Sequence, residues 1–317
     1  MKIAILHQDL EWAEEEFQRQ FKDRGIKADL YDVRDLIDDS LPLPTVHSDP
    51  RRMGLICKDV QALRDYGLVL NRVYASVANR NWQDNMRALM MLGSLEALGM
   101  TCLNSLHTTL SDYSKSYASE TMHEAGVLNP RSLLVTDLDE YDKAVIPFVA
   151  EVGYPLVVKR DMGGRGKDLA RVNDEGELEH VLQHMLSPTY KRSYDAGLVV
   201  QQFLHSVRDH DCRIAIVDGE FAFSYKRTLI SSGSSDDIWL ASVARGSEMT
   251  EYTPEADDIE VARKATEAIG AMFNEVDITY TSDGPAIIEN NPSPSYDETE
   301  VDRISMATEL IVKRFIH

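Results

Sequence analysis

Cysteine is scarce here: Cys57, Cys102 and Cys212 are the only three in 317 residues. They are far apart and form no Cys-x-x-Cys, so neither a disulfide framework nor a cysteine zinc site is suggested, and they read as buried or partly buried thiols. Long apolar runs are missing too. No stretch reaches the roughly 18–20 residues that cross a bilayer, and the opening Met1-Lys2-Ile3-Ala4-Ile5-Leu6-His7 is too short and too soon acidic for a signal peptide. The expectation is a cytoplasmic protein with no membrane partner. Positive charge is in the minority, with 33 Lys and Arg against 53 Asp and Glu and a formal net charge of −20. Such a balance excludes general nucleic-acid binding, which needs a basic footprint. It also requires any polyphosphate site to bring its own cluster of cations. No GxGxxG follows the first strand, no Walker loop is present, and no Ser-His-Asp or Cys-His set stands out.

What is present is a chain with 43% hydrophobic and 27% charged residues, long enough for a sizeable core and more than one domain. Residues 1–6 read as a buried strand, 11–24 as an amphipathic helix closed by Gly25, and 28–33 as a second strand. Strands at 67–70 and 100–103 flank a helix from about 81 to 98, ended by Gly99. This alternation implies a parallel sheet covered by helices. A polar stretch with Asn71, Arg72 and Arg80 follows the carboxyl end of a strand, where open α/β sheets place ligands. It suits either an anionic substrate, which Arg binds bidentately, or an ordinary polar loop. The proline-rich 41–52 reads as a surface loop.

Further along, a helix is expected over 112–124, carrying Lys115 and stopped by Gly126 and Pro130. A strand ending in Lys159 runs into Gly163-Gly164-Arg165-Gly166-Lys167 and returns as a strand over 168–172. Glycines let a backbone approach phosphate oxygens, and Lys159, Arg160, Arg165 and Lys167 supply the local cations. A plain flexible hairpin is the other reading. A buried strand over 198–204 leads to Asp211-Cys212-Arg213, which by itself could be a surface ion pair. The 221–227 strand ends basic, the polar 231–237 is either a specificity loop or disorder, and a helix is expected over 253–274. Then comes a hairpin with Asp277 near one end of its first strand and Ser282-Asp283-Gly284-Pro285 as its turn. Glu289 and Asn291 lie at the exit of the second strand, two apart and so on one face. Three hard oxygen donors on neighbouring strands suit Mg²⁺, although strand ends in solvent would look the same. A last helix over 301–315 reads as a structural cap.

Six of these segments, in order, resemble the ATP-grasp ligases of the RimK-like branch. Asp277 with Glu289-Asn290-Asn291-Pro292-Ser293-Pro294 resembles their magnesium signature, and Lys115 with Gly126 to Pro130 their Asp-Lys…Gly-(I/V)-x-x-Pro segment, with Ser114 where Asp is expected. The 198–204 strand resembles the hinge that reads adenine through its backbone, with Gln202 in place of Glu. Trp239-Leu240-Ala241-Ser242-Val243-Ala244-Arg245-Gly246-Ser247 resembles Trp-x-x-Asn-x-Ala-Arg-Gly-Gly, with Ser242 for Asn and Ser247 for Gly.

The resemblance implies an ATP-grasp fold, α/β and α+β. It implies an N-terminal parallel-sheet domain (1–108), a central lid domain for the nucleotide (109–203) and a C-terminal ligase domain with the magnesium site (204–317). The implied enzyme is an ADP-forming carboxylate–amine ligase that works through an acyl phosphate. It would add an amino acid such as L-glutamate to a small-molecule, peptide or carrier-protein carboxylate. By resemblance Lys115, Lys159, Gly163, Gly164, Gly166, Gln202, Phe203, Leu204 and Asp211 would bind ATP. Asp277, Glu289 and Asn291 would hold two Mg²⁺ ions, with Mn²⁺ as a substitute. Arg213 and Arg245 would be catalytic, and Asn71, Arg72, Arg80 and Ser242 would meet substrate. A homo-oligomer is expected. An ATP-binding regulatory or carrier-partner protein without ligation is the competing reading, with Ser242 and Ser247 as its support.

Overall fold

The computed structural model describes residues 1–8, 10–36, 63–73, 82–162, 168–187, 189–190, 197–231 and 238–316. Its N-terminal sheet is parallel, in the order β2-β1-β3-β4, from strands Lys2–His7 (β1), Lys27–Asp32 (β2), Leu68–Asn71 (β3) and Cys102–Leu103 (β4). Strand β1 is near-continuously apolar because helices cover both of its faces. Helix Trp12–Asp23 (α1) is entered through a capping box of Glu11 and Glu14 and buries Phe17 and Phe21, one turn apart. Helices Val33–Leu36 (α2) and Trp82–Ala97 (α3) follow in sequence.

The expected single helix over 112–124 is two helices, Leu106–Tyr113 (α4) and Lys115–Glu124 (α5). Ser114 separates them in an extended conformation (φ −131°, ψ 112°), its Oγ accepting from Tyr117 N and donating to Asp161 Oδ2 at 2.9 Å. A serine there ends one helix and caps the next, which is what its short hydroxyl does best.

The second sheet is antiparallel, in the order β5-β8-β6-β7: Ser132–Val135 (β5), Leu156–Arg160 (β6), Leu169–Val172 (β7) and Leu198–Gln202 (β8). Helices Ile146–Val152 (α6) and Glu175–Met185 (α7) accompany it. Leu178 and Leu182 of α7 are wholly buried in one cluster with Leu156, Val158, Leu198 and Val200.

The third sheet carries the site. His210–Val217 (β9) and Glu220–Thr228 (β10) form a hairpin, Ile230–Ser231 (β11) pairs with Ile238–Leu240 (β12), and Met249–Glu251 (β13) edges the sheet. Helix Ala256–Ala268 (α8) precedes the hairpin of Phe273–Thr281 (β14) and Gly284–Asn291 (β15), giving the order β13-β10-β9-β14-β15. Helix α8 packs on one face with Ile214, Ile216, Val276 and Ile278. The last helix, Val301–Phe315 (α9), packs on the other. The helix expected over 253–274 is shorter because Gly270, at φ +64°, turns the chain out of it, and Asn274 is buried inside β14. The same shift puts Asp277 in the middle of β14 rather than near its end. No described helix is long and apolar enough to cross a membrane.

Candidate functional site

Cross-strand register assembles the centre of the site. Tyr225 lies opposite Arg213, Arg213 opposite Asp277, and Asp277 opposite Glu289, so four adjacent strands contribute one row on one face. Beside it Arg227 opposes Asp211, and Glu275 opposes Asn291. Sequence spacing put Glu289 and Asn291 on one face; only the pairing adds Arg213 and Arg227 beside them.

Asp211, Arg227, Glu275 and Asp277 are buried, Arg213 is half-buried, and the charges are paired. Arg213 grips Asp277 with two nitrogens, Nε to Oδ1 and Nη2 to Oδ2, the latter at 2.7 Å. Arg227 Nη2 comes within 3.0 Å of the same Oδ2. Arg227 also takes Asp211 bidentately, at 2.9 and 2.5 Å. Burial pushes the Asp277 carboxyl up, but Arg213 and Arg227 outweigh it and hold the group below the usual carboxylate range. Glu275 goes the other way: burial raises it, offset only in part by Arg213, and its carboxylate accepts the Tyr296 hydroxyl at 2.5 Å.

The second sheet supplies the opposing wall. Lys159, at the end of β6, is lowered to about 8, by burial first and further by Lys115, against the pull of Glu289. Lys115 Nζ lies 3.9 Å from Glu289 Oε1 and 3.4 Å from the Asp161 carbonyl. Asp161 is 1% exposed, and its carboxylate takes both Ser114 Oγ and Ser116 N, so α5 is anchored to the strand that carries Lys159. A carboxylate thus sits at the start of this helix, brought there by tertiary contact. Gly163, Gly164 and Gly166, with Arg165 and Lys167, lie outside the described residues.

Between the walls is a cleft of about 1260 Å³. Lys115, Lys159, Gln202, Phe203, Leu204, Asp211, Arg213, Ser242, Asp277, Glu289 and Asn291 all line it. Gln202 is turned back, its N–H donating to Arg131 O at 2.8 Å and its Oε1 accepting from Arg131 N. Phe203 is stacked under Arg171 (4.6 Å) and meets the Trp239 edge (5.8 Å). Arg227, Glu275, Arg171 and Asp161 were not singled out from sequence. Arg227 carried a trace there, as the basic end of its strand.

Four expectations fare differently. Arg72 is 1% exposed, with Nε on Glu14 (3.1 Å) and Nη2 on the Pro294 carbonyl (2.7 Å), so its guanidinium is enclosed instead of facing a substrate. Asn71 is likewise buried, spending its amide on Thr109 Oγ1, Asn104 O and Val73 N. Both side chains are enclosed at the strand end, and neither is among the described residues lining the cleft. Arg80 lies outside the described residues. Arg245 is exposed in a short turn and does not appear among the described residues lining the cleft. Next to it Ser242 and Ser247 bracket each other, Ser247 Oγ accepting from Ser242 N at 2.8 Å and its N–H donating to Ser242 O.

The donor set fits a hard divalent cation. Among the described residues no three His, Cys, Asp or Glu converge on a metal site, but two carboxylates and an amide do share this face. Asn291 Nδ2 is spent on the Glu275 carbonyl (3.1 Å), so its amide oxygen is the atom it could offer a cation, and the Glu289 side chain is 37% exposed. Carboxylate and amide oxygens of this kind are magnesium ligands.

The RimK-like ATP-grasp domain matches residues 113–313 of this chain. A protein named "Probable alpha-L-glutamate ligase" from Shewanella pealeana is 24% identical over 234 residues, 74% of this chain and 48% of that one. The tetrahydromethanopterin:alpha-L-glutamate ligase of Methanosarcina acetivorans is 26% identical over 233 residues, 65% of this chain and 67% of its own. The chain spans about half the length of the first of these relatives. A solved ATP-grasp RimK domain protein from Sphaerobacter thermophilus superimposes with a TM-score of 0.64 at 18% identity, over 98% of both chains. That likeness fixes the fold.

Proposed function

The chain belongs to the RimK-like ATP-grasp family, and on that premise we propose that it is an ATP-dependent carboxylate–amine ligase, joining an amino acid such as L-glutamate to a carboxylate on a small molecule, peptide or carrier protein. One observation carries the reading: Lys115, Lys159, Arg213, Asp277, Glu289 and Asn291, from separate parts of the sequence, line a single cleft between two sheets. On this reading residues 109–203 form the lid over the nucleotide and 204–317 the ligase domain.

A carboxylate is a poor electrophile, so the reaction needs activation. A substrate carboxylate oxygen attacks the γ-phosphorus of ATP, forming an O–P bond as the bond to the β–γ bridging oxygen breaks and ADP departs. The amine lone pair then attacks the acyl carbon, inorganic phosphate leaves with the C–O electron pair, and the amine gives up its proton. Glu289, Asn291 and Asp277 would hold Mg²⁺, which neutralises charge on the phosphates when bound. Lys159 and Lys115 donate to phosphate oxygens from the lid wall. Arg213 and Arg227, fixed by their carboxylates, present donors that need no reorganisation as charge develops. The Gln202–Leu204 backbone meets the adenine edge, and Phe203, held by Arg171 and Trp239, offers the base an aromatic neighbour.

Phosphate release from ATP and Mg²⁺, with pooled amino acids and pooled carboxylate acceptors, tests this. Release that requires both pools and is lost in Glu289→Ala and Asn291→Ala supports the ligase, and splitting the pools identifies the substrates. Absence of ATP binding would sink the proposal.

A further inference from the structure

The segment 292–296, which leads the chain away from Asn291, is held by side chains of the N-terminal parallel sheet. Proline has no N–H, so at Pro292 and Pro294 the carbonyls are the handles. Asn104, just past β4 and 3% exposed, donates from Nδ2 to Pro292 O and to Phe273 O, both at 2.7 Å. Its Oδ1 accepts from Met272 N (2.8 Å) and Phe273 N (2.9 Å), so one amide ties the start of β14 to the exit of β15. Arg72, just past β3, puts Nη2 on Pro294 O, is held by Glu14 through Nε, and lies over the Phe17 ring at 5.3 Å. Phe17 in turn meets Tyr296 edge-on (6.0 Å), and the Tyr296 hydroxyl reaches Glu275, whose main-chain oxygen takes the Asn291 amide.

We propose that Arg72 and Asn104 are positioning residues: from the N-terminal sheet they set the exit of β15, and through it the placement of Asn291 and Glu289 for a metal–nucleotide complex. This rests on the ligase reading above. Arginine suits the task because its planar fork reaches two acceptors from different nitrogens, Nε to Glu14 and Nη2 to Pro294 O, whereas lysine's three donors all radiate from one nitrogen. The grip begins on the main chain one residue after Asn291, so loosening it acts on where that ligand candidate is placed and not on the metal contact itself.

The test is calorimetric titration of the full chain with the non-hydrolysable ATP analogue AMPPNP, with and without Mg²⁺, for the unaltered chain, Arg72→Lys and Asn104→Ser. Thermal melts report whether each variant is folded. Arg72→Lys keeps a cation opposite Glu14 but releases Pro294; Asn104→Ser releases Pro292, and either variant carries the test if the other fails to fold. The expected result is metal-free affinity within about twofold of the unaltered chain, and an Mg²⁺-dependent gain in affinity reduced about 10-fold. Retention of the full gain overturns the proposal, and so does an equal loss with and without Mg²⁺, which would mark the two residues as packing alone. If the unaltered chain itself shows no Mg²⁺-dependent gain, the ligase reading fails and takes this one with it.

Discussion

One face of the five-stranded sheet is built in two halves from the same strands. Toward one end β9, β10 and β14 present Ala215, Val217, Phe223 and Phe273, all buried against α9 and the N-terminal sheet. A few residues along the same strands the side chains are Asp211, Arg227 and Asp277, also buried, and the half-buried Arg213, all lining the cleft. The same strands pair through both halves, with one register shift beside Phe223 and another beside Asp277, so pairing alone does not distinguish them. What differs is the cover: a helix on one half, a cleft with Lys115 and Lys159 across it on the other. An apolar half needs only volume and shape. The charged half needs every ion to have its partner in place, because a buried charge left alone is costly.

The difference can be broken from either side. In Arg227→Met the Asp211 carboxylate loses its bidentate partner and Asp277 one of two; chemical denaturation should show a loss of about 3–5 kcal/mol, with nucleotide affinity falling as well. Phe273→Ala should cost a comparable amount, about 3–5 kcal/mol from the cavity it leaves. Its AMPPNP affinity should nevertheless stay within about twofold, because Asn104 holds the Phe273 main chain, which the substitution leaves in place, and not its ring. A Phe273→Ala protein that folds but binds no nucleotide would show the halves to be one unit.

pH sharpens the contrast further. Lys159, lowered to about 8, is charged below that pH and neutral above it. A triphosphate favours the charged form, so binding draws a proton onto the lysine, and affinity falls as pH rises through 8. The expected slope is up to about 10-fold per pH unit between pH 8 and 10, flat below pH 8 for this group, and absent in Lys159→Arg. The smallest effect is at Ser114, where Ser114→Ala removes a helix cap and one bond to Asp161. A loss of about 1 kcal/mol in thermal or urea unfolding is expected, with a weaker hold on Lys115 seen as a modest rise in nucleotide Kd.

Much of the candidate site was legible because it is written in short, local patterns. Glu289 and Asn291 share a face by strand periodicity alone, and Lys159 before a glycine run is a statement about neighbours in sequence. Helix limits were less legible: nothing before Gly270 signals that Ala268 is the last helical residue, and Ser114 reads as an ordinary helix residue until Asp161 is beside it. The surroundings of Arg72 were illegible for the same reason. A strand-end arginine looks exposed in sequence, whereas here Glu14, 58 residues earlier, and Pro294, 222 residues later, close over it.

By itself, then, the sequence determined the local periodicities, the turns, the order of the strands along the chain and the family to which those motifs point. These depend on backbone preferences and on side chains a few residues apart. Tertiary structure alone decided which buried polar groups meet: Arg213 and Arg227 on Asp277, Asp211 on Arg227, Asp161 under α5, and Arg72 and Asn104 on the loop after Asn291. A buried charge is set by whichever partner the fold brings within about 3–4 Å, and Coulomb attraction is indifferent to separation along the chain.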